Sequence, residues 1–175
     1  MANGNALMER WKKEQRAENF HRTFEPVPMV PDAQLEVRVG ERIGSGTTRE
    51  VYEDQEHTTR VIKRAWEGDV GANWVEYFVW TAARDTRWAN VIAQCFAISE
   101  SGRFLSMERI QAPIQLTQYP DVPDLPWWLD DLQPKNFGVA ADGTVKVCDY
   151  ALVGLGFDMD EALPHRPSFA WPAES

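Results

Sequence analysis

The chain has 175 residues, a length that suits one domain better than two, and 43% of them are apolar, enough to build a core and to argue against global disorder. The net charge is −9, and residues 100–175 carry twelve acidic against five basic side chains, a net of −7. A negative surface repels nucleic-acid phosphates and so argues against direct binding of DNA or RNA. It suits a basic protein partner, although keeping a small protein soluble is the commoner use of such charge.

Cys95 and Cys148 each sit in an apolar run, outside any CxxC pair or His/Cys cluster. Buried, reduced structural thiols are the expectation. No apolar run approaches a membrane span and the N-terminus has no signal-peptide core, so a cytoplasmic protein without a membrane partner is expected.

In chain order, residues 5–20 predict a charged helix with Leu7, Met8 and Trp11 on one face, docked on the domain or on a partner. Pro26, Pro28 and Pro31 end it in an extended linker. Residues 34–39 alternate, with Leu35, Val37 and Val39 on one side, and predict a strand. Two more strands are expected over 49–53 and 59–64, joined by a polar turn at 54–57. A helix follows over 72–83, with Trp74, Val75, Phe78, Val79 and Ala82 as its apolar face. Strands over 91–98 and 103–110 meet at a turn containing Gly102. Four prolines within 111–126 leave little room for a long helix. Residues 136–140 and 144–148 predict a hairpin around Asp142-Gly143, and the chain from Pro164 on is proline-rich and expected to be irregular.

Five features carry chemistry. Gly44-Ser45-Gly46 lies between two strands, where glycines admit phosphate oxygens to backbone N–H groups. Taken alone, it is more often a plain hairpin turn. Lys63 sits in the apolar strand text Val61-Ile62-Lys63 and, taken alone, is more often a solvated strand lysine. Glu76, on the apolar helix, would satisfy that lysine in an ion pair. Asp131 and Asn136 are five apart on one loop, where the Asp can accept a hydroxyl proton and the Asn amide oxygen can ligate magnesium. Asp149 ends an apolar strand, thirteen residues after Asn136, a separation that fits a hairpin returning it to Asn136's side.

In this order, the glycine loop, strand lysine, helix glutamate, Asp-x-x-x-x-Asn loop and Asp149-Tyr150-Ala151 resemble the protein-kinase superfamily over roughly 110 residues, from Gly44 to Ala151. The resemblance implies ATP and Mg2+ as cofactors. Gly44, Ser45 and Gly46 would cover the phosphates, Val51 would pack on the adenine, and the hinge Met107–Ile110, with Glu108 and Ile110, would meet its edge. Lys63, positioned by Glu76, would hold the phosphates. Asp131 would be the catalytic base, and Asn136 and Asp149 the metal ligands.

The chain also departs from that pattern. Arg49 replaces the third loop glycine, Leu129-Asp130 stands where His-Arg precedes the Asp, and Gln133 replaces the lysine two residues after it. Twenty-four residues follow Ala151, where an ordinary kinase has an activation segment and a helical bundle. The chain thus resembles the compact kinases and kinase-like proteins of bacterial effectors and bacteriophages, which would place it in a host cytoplasm. The fold expected is α+β, a five-stranded antiparallel sheet with one main helix and a strongly truncated second lobe. Its divisions are an N-terminal helix and linker over 1–31, a kinase-like domain over 32–163 and an irregular tail over 164–175. Trp127 and Trp128 are expected to be buried over the site rather than exposed as a partner patch. Two functions fit: phosphoryl transfer from ATP-Mg to a protein or small-molecule hydroxyl, or an inactive kinase-like scaffold that binds and inhibits a host protein.

Overall fold

In the computed structural model, residues 25–111, 125–126, 128–151 and 164–165 are described. The expected helix over 5–20, Trp127 and the chain beyond 165 lie outside the described residues. The described chain is α+β. Its elements are β1 (Met29–Val30), α1 (Asp32–Glu36), β2 (Val39–Ser45), β3 (Arg49–Asp54), β4 (Arg60–Ala65), α2 (Gly71–Ala83), β5 (Cys95–Ser99), β6 (Phe104–Glu108), β7 (Leu125–Pro126), β8 (Phe137–Val139), β9 (Val145–Val147) and β10 (Pro164–His165). Single 3-10 turns precede β5 at Arg87–Asn90 and β8 at Pro134–Asn136.

The main sheet has six strands, not five, in the order β1-β5-β6-β4-β3-β2. Five of them pair antiparallel. The sixth, β1, lies parallel to β5, with Met29 opposite Ile98. Proline lacks an N–H donor but keeps its carbonyl, and the Pro28 carbonyl accepts from Ile98 N at 3.1 Å. A two-residue edge strand between prolines is too short to show as a pattern in the sequence.

Residues 34–39 are not one strand. Pro31 and Asp32 open a short helix, and an acidic side chain in the first turn suits its N-terminus. Leu35 is then buried while Val37 is 70% exposed, so the apparent alternation spans two different elements. Strand β2 begins only at Val39 and forms the sheet's outer edge, with charged Glu41 and Arg42 exposed along it.

Both faces of the sheet are covered. On one, Leu35 of α1 packs with Tyr52, Ile62, Ala97 and Phe104. On the other, Val79 and Trp80 of α2 join Val61, Leu105, Met107, Trp128, Phe137, Val147 and Tyr150 in the main core. Trp128 is buried as expected. Cys95 and Cys148 are free thiols, and burial pushes them up to about 12 and about 11, which keeps them protonated and unreactive.

The β8–β9 hairpin turns at Gly143, in the left-handed region at φ 85°, and docks onto the sheet domain through backbone bonds. Ala93 N donates to the Val147 carbonyl at 2.8 Å, Val147 N to that of Val91 at 2.9 Å, and Gln111 N to that of Val139 at 2.9 Å. Gly138 lies against Ile110 and Gln111, where a Cβ would overlap the Gln111 carbonyl. Strands β7 and β10 pair antiparallel, Pro126 opposite Pro164. No helix among the described residues is long and apolar enough to cross a membrane.

On the α1 face, Glu50 accepts from Arg42 at 2.8 Å, Arg64 at 2.6 Å and the Tyr52 hydroxyl. The Tyr52 hydrogen bond, then those of Arg42 and Arg64, hold its carboxyl down at about 2. A folded value below the ordinary 4.5 means that the contribution to stability is complete above pH 4.5 and lost as the pH falls toward 2. Urea midpoints are expected to drop across that window, and to drop less in Glu50→Gln. Parallel curves for the two proteins would remove Glu50 from the acid response. Gly138→Ala is expected to cost about 1–3 kcal/mol in urea unfolding, as overpacking does, and an unchanged midpoint would mean that the hairpin shifts freely.

Candidate functional site

The site begins with an alternation. Arg49, Val51 and Glu53 share one face of β3, and Val51 lies opposite Lys63 in β4, so Arg49 and Lys63 point to the same side of the sheet. Helix α2 crosses that side. Its buried residues are Asn73, Glu76, Val79, Trp80 and Ala83, whereas Phe78 is 58% exposed and Ala82 is exposed. The face expected from apolar spacing is therefore rotated. The cause is electrostatic: Asn73 and Glu76 must face the sheet to meet its buried cations.

Glu76 has no exposed surface. Lys63 Nζ donates to both of its oxygens at 2.9 Å, Arg49 Nη2 donates at 2.8 Å and Tyr150 N at 3.1 Å. Arg49 Nη2 also donates to Asp149 Oδ1 at 2.7 Å, and its Nη1 to Asn73 Oδ1 at 3.2 Å. Asn73 in turn donates to the carbonyls of Gly102 and Arg103 at 2.9 and 3.1 Å, pinning α2 to the β5–β6 turn. Lys63 Nζ also reaches the Cys148 carbonyl at 2.6 Å, so the lysine ties strand, helix and hairpin together.

Burial pushes the Asp149 carboxyl up, but the charges of Lys63 and Arg49 and the Arg49 hydrogen bond outweigh it, and the group stays below its ordinary value. For Arg49, burial opposes the charge, and Glu76 and Asp149 overcome it, so its value is raised. Asp149's side chain is half exposed.

The second wall comes from the loop before β8. Asp131 is the one non-glycine residue with positive φ, 54°, among the described residues. Asp tolerates that region better than most residues. Asn136 Nδ2 holds it there, donating to its carbonyl at 2.7 Å and to Oδ2 at 3.0 Å, while Gln133 Nε2 donates to Oδ1. Cys148 N donates to the Asn136 carbonyl at 2.8 Å, which closes the loop against the strand that ends at Asp149.

These parts face a cleft of about 760 Å³, within the range of small-molecule sites. It is lined by Gly44, Ser45, Gly46, Val51, Lys63, Glu108, Ile110, Asp131, Asn136 and Asp149, so every site residue picked from the sequence reaches it except Glu76, which stands behind Lys63. Two lining residues are also engaged in structural bonds. The Gly46 N–H is spent on the Arg49 carbonyl at 2.8 Å and closes the hairpin turn. The Glu108 carboxylate binds Lys146 at 2.8 and 3.0 Å and Gln94 N at 3.0 Å, so its side chain is occupied with structure.

Four participants carry little signal in the sequence. Arg49 registered only as a lost glycine, although strand alternation with Val51 placed it on the cleft side. Asn73 and Tyr150 had no signal beyond their position in helix and strand-end text. Lys135 also lines the cleft, as an exposed cation four residues after Asp131. Among the described residues no group of three or more His, Cys, Asp or Glu side chains is arranged to hold a metal ion.

No protein-family model matches the chain, and a search of curated proteins gave no significant match.

Removing the Glu76 carboxylate leaves two buried cations facing each other. Glu76→Ala is expected to cost about 3–5 kcal/mol and to lower the Tm by roughly 10 °C. A loss under about 1 kcal/mol in calorimetry would mean that Lys63 and Arg49 find other partners.

Proposed function

We propose that the chain is a minimal protein-kinase-like phosphotransferase that binds ATP-Mg in this cleft and transfers phosphate to a hydroxyl of a protein or small molecule. The observation that carries the reading is the Lys63–Glu76 pair. A lysine held at 2.9 Å by a fully buried carboxylate lines a cleft whose opposite wall carries Asp131, Asn136 and Asp149, under a glycine-containing hairpin. Phosphoryl transfer asks little of a protein beyond such positioning and charge.

In this reading β2 to β6 with α2 form the kinase-like N-lobe. Val51 and the segment around Ile110 take the adenine. Lys63 takes the phosphates, held in place by Glu76. Asp131 accepts the proton of the acceptor hydroxyl as its oxygen bonds to phosphorus and the bond to ADP breaks. Asn136, whose amide nitrogen is spent on Asp131, offers its oxygen to the metal, as does Asp149. Magnesium, when bound, supplies positive charge that offsets the phosphates.

A second reading has a specific observation behind it. Asp149 is already neutralised by Arg49, and both Asp131 oxygens accept from side-chain amides. These contacts favour a catalytically weak or inactive kinase-like scaffold that binds a protein partner, a basic one by charge.

The test is thermal unfolding with and without ATP-Mg, alongside phosphate transfer to added acceptors. A ligand at about 100 times its Kd adds about 2.7 kcal/mol, a Tm rise of roughly 5–10 °C for a chain of this size. Lys63→Ala is expected to lose the rise, and Asp131→Ala to keep it while losing transfer. No rise at millimolar ATP would discard the nucleotide site, and full transfer by Asp131→Ala would discard the base.

A further inference from the structure

Arg49 is left without a role by the kinase-like reading, yet it is the most heavily engaged cation in the cleft. The residue is 5% exposed, lines the cleft and bonds Asn73, Glu76 and Asp149 at 3.2, 2.8 and 2.7 Å. We propose that Arg49 is a built-in cation that lets this cleft hold the polyphosphate of a nucleotide without a divalent metal. The inference rests on the nucleotide reading of the cleft and narrows it to metal-independent binding.

Charge bookkeeping comes first. A carboxylate beside a polyphosphate repels it unless a cation stands with it. Glu76 is balanced by Lys63, and Asp149 by Arg49, so the four groups sum to zero before any ligand arrives. Lys135 adds an exposed positive charge on the same cleft, set against the carboxylates of Asp69 and Asp131, which also line it. The repulsion that a metal would otherwise have to cancel at Asp149 is thus cancelled by the chain itself.

Rigidity comes second. Arg49 is held from behind by Asn73 and Glu76 on α2, and its backbone is fixed in β3, where the Arg49 carbonyl accepts from Gly46 N. A guanidinium with three partners in a fork geometry is preorganised, and it keeps two of them even if Asp149 turns away.

Competition comes third. A divalent ion at Asp149 would share that carboxylate with a bound guanidinium. Like charges at such separation oppose each other, so the affinity for metal falls while the affinity for phosphate does not. Metal can then matter for transfer without being needed for binding.

Calorimetric titration of the full chain with ATP, once in EDTA and once in Mg2+, tests this. Wild type is expected to bind in both, with Kd values within about threefold of each other, and Arg49→Gln to weaken about tenfold in EDTA, about 1.4 kcal/mol, and to recover in Mg2+. Arg49→Lys, which keeps the charge, is expected to remain independent of metal. Binding by wild type only in Mg2+ would overturn the inference and leave the nucleotide reading standing, as would Arg49→Gln binding as tightly as wild type in EDTA. Absence of ATP binding in both conditions would overturn the nucleotide reading and this inference with it. Should Arg49→Gln fail to fold, the two wild-type titrations decide the matter alone.

Discussion

A carboxylate with no exposed surface must find its counter-charges inside the protein, and the arrangement of this molecule follows from where Glu76 finds them. Lys63 comes from β4, Arg49 from β3 and the Tyr150 N–H from the strand end after the hairpin. Three separate stretches of chain therefore converge on one side chain of α2. Each ion has several partners, which is the condition under which buried charge is tolerated. The same convergence places Asp149 at the cleft, because Tyr150 is locked beneath it by its hydroxyl bond to the Ala93 carbonyl at 2.6 Å.

The cluster also sets the phase of the helix. Apolar spacing alone favours burial of Trp74, Val75, Phe78, Val79 and Ala82. Turning the helix to bury Asn73 and Glu76 moves Phe78 and Ala82 to the surface and brings Trp80 and Ala83 into the core. The exposed Phe78 packs within the helix's own aromatic group instead: Trp74 stacks on Phe78 and meets Tyr77 edge-on, each at 5.8 Å between ring centroids. An unpaired buried charge costs more than an exposed aromatic, so the electrostatic term decides.

The second wall depends on backbone bonds more than on side chains. The β8–β9 hairpin is short, with three residues per strand, and a two-stranded unit of that size has little stability of its own. It is held by ladder-like bonds to Val91, Ala93 and Gln111, and by the close contact that Gly138 permits. The loop carrying Asp131 and Asn136 is thereby fixed to the same frame that carries Lys63, which is why one cleft can be lined from both sides.

Much of this was legible in the sequence. Strands β3, β4, β5 and β6, helix α2 and the hairpin at Asp142-Gly143 carry strong local patterns, and their order placed Lys63, Asp131, Asn136 and Asp149 on strand, loop and strand end. Local text was enough for these because side-chain alternation and turn chemistry act between residues close in the chain. What it could not decide was set between residues far apart. The sixth strand exists because β5 offered an edge to Met29 and Val30. The short helix at Asp32 replaced an apparent strand because Leu35 entered the core while Val37 stayed exposed. Arg49 became part of the site because Glu76 and Asp149, distant in sequence, meet at its guanidinium. Such pairings are fixed by the desolvation of charge in a shared interior, and that term appears only when the tertiary structure brings the groups together.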